Sequence, residues 1–303
     1  TKALFVTTTT TEPIENVDAW VNTMGPAEHF RFDIDNRPRD AEILATAENF
    51  RPDVIFYTGG ESGAGIPSIN TFQMLRQIAP AILFQGDMAD PPWWPAMERY
   101  RDAECFDLMV AMDGVRGCPA DFVTLTPLNV AKFGAIETDR PIYCGFAGNV
   151  VPKDRYKLIK AMHGTEDPRA AILHAMPSVV LRPREMTGSY ADYIAFLRSC
   201  RISINTAWAG SGLVMHMKGR VLESAFSGCA LLEQEGSPIT DWFPADSYFT
   251  YKTKWDAINV INDTPVEEIS RRAKIFGDYA RNNYTADKIY KGIMGALNEN
   301  QLT

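Results

Sequence analysis

The residues best suited to chemistry lie in Lys218–Gly228, which reads KGRVLESAFSG. The pattern predicts a helix from Lys218 to Ser227, capped by Gly228 and followed at once by a buried strand, Cys229–Leu232. Arg220 and Glu223 are three residues apart, so they share a helix face. Lys218, Arg220 and the free amides of the first turn suit a diphosphate. Glu223, further along the helix, suits the hydroxyls of a ribose. The same spacing also describes an intrahelical Arg–Glu pair on a solvated face. A second group follows the apolar segment Ile142–Phe146. There Gly148 lets the backbone approach a ligand, and Asn149, Lys153 and Arg155 come next, where amides and cations can meet phosphate. An ordinary turn with solvated charges would read the same way.

The elements that must position these groups alternate between strand-like and helix-like. In the first half, strands are expected at Lys2–Thr7, Phe30–Ile34, Asp53–Tyr57, Ala81–Phe84 and Leu108–Met112. Helices are expected at Glu15–Met24, Ala41–Phe50, Ser68–Ile78 (with Ser68 as N-cap) and Met97–Ala103. This alternation predicts a parallel sheet covered by helices on both faces. The polar stretch Phe133–Pro141 reads as a linker. The pattern then restarts: strands at Ile142–Phe146, Ala170–His174, Ile202–Asn205, Cys229–Leu232 and Tyr248–Tyr251, with helices at Asp154–Met162, Tyr190–Leu197 and Lys218–Ser227. Helices at Trp255–Ile261, Pro265–Tyr279 and Ala286–Asn298 close the chain. The expected class is α/β, with two Rossmann-like domains and a helical C-terminal tail.

Composition bounds the function. The 303 residues are 46% hydrophobic and 22% charged, the balance of a soluble globular chain. The net charge of −8 argues against nucleic acid as a partner. It is unevenly placed: residues 1–140 carry −10 and residues 141–303 carry +2, so the second half is the better host for an anion. Five scattered cysteines and four histidines show no metal-ligand spacing, so no metal site or cofactor is expected. The absence of a disulfide framework, an apolar leader and any transmembrane run points to the cytoplasm.

The stretch Arg201–Leu232 resembles the C-terminal part of glycosyltransferases like the spore-maturation protein CgeB. It carries their R-x-x-E-[AS]-x-x-x-G helix as Arg220 to Gly228, before an apolar strand. Gly236–Phe243, Cys144–Asn149 with Arg155, Arg51–Tyr57 and Phe84–Asp87 are similar to further segments of that family, so the resemblance covers most of the chain through short motifs. It implies a GT-B fold: an acceptor domain at 1–135, a nucleotide-sugar donor domain at 136–285, and a helix at 286–303 that returns toward the first domain. It also implies sugar transfer without a metal from a nucleotide-diphosphate donor, UDP or GDP, to a glycan, lipid or protein acceptor.

On this resemblance Lys218 and Arg220 stabilise the leaving diphosphate. Gly148, Asn149, Lys153, Arg155, Gly212, His216, Glu223 and Ser237 bind the donor, and Thr240 is a further phosphate or sugar contact. Asp87, at the carboxyl end of a strand, is the first candidate for a base, or else a loop cap. Glu61, in the Gly59–Gly65 loop, is the second. Trp93, in the Pro91–Trp94 run, is expected either to stack on an acceptor sugar or to pack its loop. One departure stands out. Many retaining enzymes of this fold carry a pair of glutamates. With Glu223 as the later one, the earlier falls on Met215, which leaves retention or inversion open. A two-lobed sugar-binding protein, a nucleotide-sugar epimerase and a degenerate transferase acting as a scaffold are the competing readings.

Overall fold

A computed structural model describes residues 1–9, 11–60, 63–136, 139–148, 179–183 and 189–301. The helix expected at 154–162 and the strand expected at 170–174 lie outside the described residues. The chain divides into two compact units: Thr1–Asn129 with Ser211–His216 and Tyr284–Thr303, and Val130–Gly210 with Met217–Asn283.

In the first unit β1 (Ala3–Thr8), β2 (Ala27–Phe32), β3 (Val54–Thr58), β4 (Ala81–Gln85), β5 (Leu108–Ala111) and β6 (Phe122–Val123) form one sheet in the order β2-β1-β3-β4-β5-β6. All its pairings are parallel. The helices α1 (Thr11–Thr23), α2 (Asp40–Phe50), α3 (Ile69–Ile78) and α4 (Trp94–Asp102) connect the strands. Such strands are buried on both faces and therefore read as unbroken apolar runs, as Ala3–Val6, Val54–Tyr57 and Ala81–Phe84 do. On one face Phe5 and Phe56, register partners, stack at 4.8 Å between ring centroids. Trp20 of α1 meets Phe56 edge-on at 5.2 Å, and Tyr290 of the C-terminal helix, Ala286–Asn300, meets Trp20 at 4.9 Å. The Tyr290 hydroxyl donates to the Asn16 carbonyl at 2.7 Å. On the other face Leu4, Val6, Ile55 and Tyr57 pack with Ile43 of α2 and Phe72 and Leu75 of α3. Ser68 caps α3 as expected, accepting from the Thr71 amide at 3.2 Å.

In the second unit β7 (Ile142–Gly148), β8 (Val179–Pro183), β9 (Cys200–Ile204), β10 (Ala230–Gln234) and β11 (Phe249–Tyr251) form a second parallel sheet, ordered β11-β10-β9-β7-β8. The helices α5 (Tyr190–Ser199), α6 (Gly219–Phe226), α7 (Lys254–Asp263) and α8 (Val266–Asn283) belong to it. Ser189 and Asp192 form a capping box at the start of α5. The α6 helix starts one residue later than the sequence pattern suggests, because Lys218 keeps an extended backbone at its N-cap. Both sheets run second strand, first, third, fourth, fifth. Each therefore has a switch point, between β1 and β3 and between β7 and β9. There the connections leave in opposite directions and open a crevice at the carboxyl edge.

The polar stretch read as a linker is partly interior. Arg140 is buried, and its guanidinium donates to the Cys200 and Ser227 carbonyls, each at 2.6 Å. Gly228, at φ +74°, ends α6 against it. A Cβ there would lie 2.7 Å from the Arg140 Nη2 and 2.9 Å from Ile136. Among the described residues no helix is long and apolar enough to cross a membrane. Arg140→Met should lower stability by about 2–4 kcal/mol, because both bonds from the buried cation to carbonyls are lost. The urea midpoint of the transition that melts the second unit checks this.

Candidate functional site

Arg220 stands at the switch point of the second sheet. From the first turn of α6 its Nη1 donates to Asn205 Oδ1, just past the end of β9, at 3.2 Å. Its Nη2 donates to the carbonyl of Ala147, near the end of β7. The guanidinium lies over the Phe146 ring at 4.5 Å. One side chain thus spans the two strands that part at the crevice. Its Nε–H has no acceptor among the described residues. Gly148, the last residue of β7, ends the same crevice.

One turn further along α6, Glu223 is held from α5. Tyr193 donates to Oε2 at 2.7 Å and Tyr190 to Oε1 at 3.0 Å. Because α5 runs into β9, its first turns lie at the carboxyl edge, where both tyrosines sit. Burial and the Glu223 charge push the Tyr193 hydroxyl well above its ordinary range, so it remains a donor. Glu223 is thus held by two tyrosine hydroxyls, and Arg220 by the ends of β7 and β9. Behind them Glu233 of β10 is fully buried. It accepts from Asn205 Nδ2 at 2.7 Å and from the Gln234 amide at 3.1 Å. Ser237 is buried at the start of the next turn, where its hydroxyl accepts from the Ile239 amide at 3.4 Å. Thr240 is exposed, and Lys218 is half-buried at the N-cap of α6.

A separate cluster forms in the first unit, beyond the ends of β4 and β5. His216 Nδ1 lies 3.1 Å from Asp87 Oδ1, with the imidazole buried and the carboxylate half exposed. Asp87 has φ +56°, a left-handed conformation that aspartate tolerates better than most residues. Asp90, buried, accepts from the Ser211 amide at 3.1 Å and from its hydroxyl. Asp113 accepts from the Ala89 amide at 2.7 Å, and burial together with the Asp87 charge helps push its carboxyl up to about 6. The segment Ser211–His216 is thus fastened at both ends to the Asp87–Asp90 turn, with Gly212 (φ +72°) and the Met215 position between. Trp93 packs against the core of this unit. Glu61, Asn149, Lys153 and Arg155 lie outside the described residues.

No protein-family model and no curated protein matches this sequence. Solved structures match it over nearly its full length. Anabaena HepE, solved with UDP, is 12% identical with a TM-score of 0.66, covering 99% of this chain and 100% of that one. An alpha-glucosyltransferase solved with UDP and DNA is 8% identical at a TM-score of 0.61, covering 98% and 99%. A glycosyltransferase of avilamycin A biosynthesis is 12% identical at 0.55, covering 98% and 97%. The fold is GT-B. The narrower resemblance to CgeB-like proteins rests on the sequence motifs alone.

In this GT-B chain Arg220 and Glu223, the residues that the sequence motifs singled out, both lie on α6. The motifs gave no role to Asn205, Glu233, Tyr190 or Tyr193. A signal existed for Glu233, a charge at the end of an otherwise apolar strand. Tyr190 and Tyr193 carry the i, i+3 spacing of one helix face. Burial raises the Glu233 carboxyl from its ordinary 4.5 to about 7, against the lowering effects of Asn205, the Gln234 amide and Arg220. Between those values the folded chain holds more protons than the unfolded one. Stability should therefore fall as pH rises from about 4.5 to about 7, by on the order of 2–4 kcal/mol. Glu233→Gln should flatten that slope. Urea unfolding at a series of pH values measures it, and an unchanged slope in the variant rules the assignment out.

Proposed function

We propose that this chain is a glycosyltransferase that moves a sugar from a nucleoside diphosphate donor, with UDP as the first candidate, to a hydroxyl acceptor. The observation that supports it most is Arg220 bridging the ends of β7 and β9 at the switch point. It does so in a fold whose full-length neighbours include proteins solved with UDP and UDP-glucose. Ligands of such sheets bind at that point.

On this reading Arg220, Lys218 and the first amides of α6 offset the charge that grows on the departing diphosphate, which is electrostatic catalysis. Lys153 and Arg155 add to the same set, and Gly148 and Asn149 supply close backbone approach. Glu223, fixed by two tyrosine hydroxyls, accepts from the ribose hydroxyls without having to be ordered on binding. Ser237 lies beside the same edge. In the first unit the Asp87 carboxylate, 3.1 Å from His216 Nδ1, orients the imidazole. This Asp–His pair is the group best suited to take a proton from an acceptor hydroxyl. Glu61 and Trp93 are the remaining acceptor-side candidates. The cations take the part that a divalent metal plays in other transferases, so donor binding should survive EDTA.

Calorimetry with UDP, GDP and uridine, with and without EDTA, tests this. UDP should bind in both conditions. Arg220→Ala should weaken UDP about 10–100-fold, as loss of charge-assisted bonds implies, and leave uridine nearly unchanged. Folded protein that binds no nucleotide would overturn the reading. One of the solved neighbours is described as a putative UDP-N-acetylglucosamine 2-epimerase, from Listeria monocytogenes, at a TM-score of 0.53 and 12% identity. Incubation with UDP-sugars separates the two activities. Release of UDP supports transfer, whereas an epimerised nucleotide-sugar without UDP release supports the second reading.

A further inference from the structure

The Arg220 anchor is itself held by a group with no access to solvent. Asn205 offers two ends of one amide. Its Oδ1 meets Arg220 Nη1 at 3.2 Å, and its Nδ2 meets Glu233 Oε2 at 2.7 Å. A guanidinium only donates, so the acceptor end of the amide must face Arg220 and the donor end must face Glu233. That orientation matches an ionised carboxylate, which only accepts. The Asn205 backbone cannot shift to relieve a mismatch. Its N–H donates to the Leu232 carbonyl at 2.9 Å, and its carbonyl accepts from the buried Tyr251 hydroxyl at 2.6 Å.

Protonation of Glu233 changes this logic. The acid gains an O–H that needs an acceptor, and Asn205 Oδ1 can supply one if the amide turns over. The turned amide then presents Nδ2 to Arg220, donor against donor, and the bond to Nη1 is lost. We propose that Glu233 is a positioning residue for Arg220, acting through the Asn205 amide. The guanidinium keeps both of its bonds at the switch point when Glu233 is ionised and only the one to the Ala147 carbonyl when it is protonated. The charged and titratable groups around Glu233 are Arg220 from α6 and Tyr248 ahead of β11, with the Ser237 hydroxyl adding a hydrogen bond. Burial lifts the Glu233 carboxyl to about 7, which places the change at neutral pH. The consequence for ligands, that nucleoside diphosphate binds more tightly when Glu233 is ionised, rests on the donor-site reading above.

Two measurements test the relay and its consequence separately. In nitrogen-15-labelled protein, the Arg220 Nε–H and the Asn205 side-chain amide should titrate together between about pH 5.5 and about pH 8.5, with a common midpoint. Glu233→Gln should abolish both titrations. Asn205→Ala should uncouple Arg220 while leaving Glu233 in place, so the result does not depend on one variant folding. An Arg220 signal that does not move in the parent protein, or that still moves in Glu233→Gln, overturns the proposal. Calorimetry over the same range reads the consequence. The parent's affinity for UDP should gain about tenfold more than that of Glu233→Gln, a coupling of ordinary size, whereas uridine should show no such difference. An equal loss for uridine would mark Glu233 as merely structural and overturn the proposal. Titrations that follow the relay in protein that binds no UDP would uphold the relay and reject the donor-site reading.

Discussion

A guanidinium withdrawn from water must find acceptors, and Arg220 finds them on two different strands. The Ala147 carbonyl belongs to β7, and the Asn205 amide follows β9. These strands are neighbours in the sheet but lead away from each other in the chain. Satisfying one side chain therefore fixes the spacing of the crevice that the topology opens. The ring of Phe146 supplies the third side of the seat, with its face toward the cation. The orientation of Asn205 then becomes a requirement, and Glu233 behind it is the group that meets the requirement. The candidate donor site is thus built outward from a buried polar network, in which each member is satisfied only if the next is correctly turned.

Much of the fold was legible because the signals were local. Parallel strands buried on both faces give unbroken apolar runs, so β1, β3, β4, β5 and β9 could be found without partners. Ser68 before α3 and Gly228 after α6 act on their own helices, and both do in the structure what their types imply. The Arg220–Glu223 helix was legible by the same rule. What the sequence could not convey was which partners those side chains would choose. The i, i+3 spacing allows an Arg–Glu pair, yet Glu223 turns to Tyr190 and Tyr193 and Arg220 turns to the strand ends. The tyrosines are thirty or more positions away, and no local pattern joins them to Glu223.

The same limit explains Arg140 and Glu233. A charged residue in a polar stretch reads as solvated, and Arg140 sits among such residues. It is interior because the carbonyls at the end of α6 and the start of β9 point at one place. Glu233 follows Ala230, Leu231 and Leu232, a run that reads as ordinary core. Only the sheet order, which sets β10 beside β9, brings Asn205 within reach of it. Burial of a charge is a tertiary fact, and so its cost and its use stay out of sight until the elements are assembled.

Charge sums mislead for a related reason. The second half carries a net +2 against −10 in the first, which favours an anion there. Several of its cations, however, are spent on the protein itself. Arg272 and Arg281 donate to the carbonyls of Tyr248 and Phe226, closing the loop before β11 and the end of α6. Arg271 and Arg272 also share Glu268. Counting them as a phosphate-binding surface would overstate it. What singles out Arg220 is placement: half-buried, at the switch point, beside the open turn of α6 that Lys218 begins. An anion bound there would meet one preoriented cation and a helix N-terminus, and in a partly desolvated crevice that is worth more than a larger, diffuse charge elsewhere. The position of the guanidinium, not the total charge, makes the second unit the candidate host of the donor.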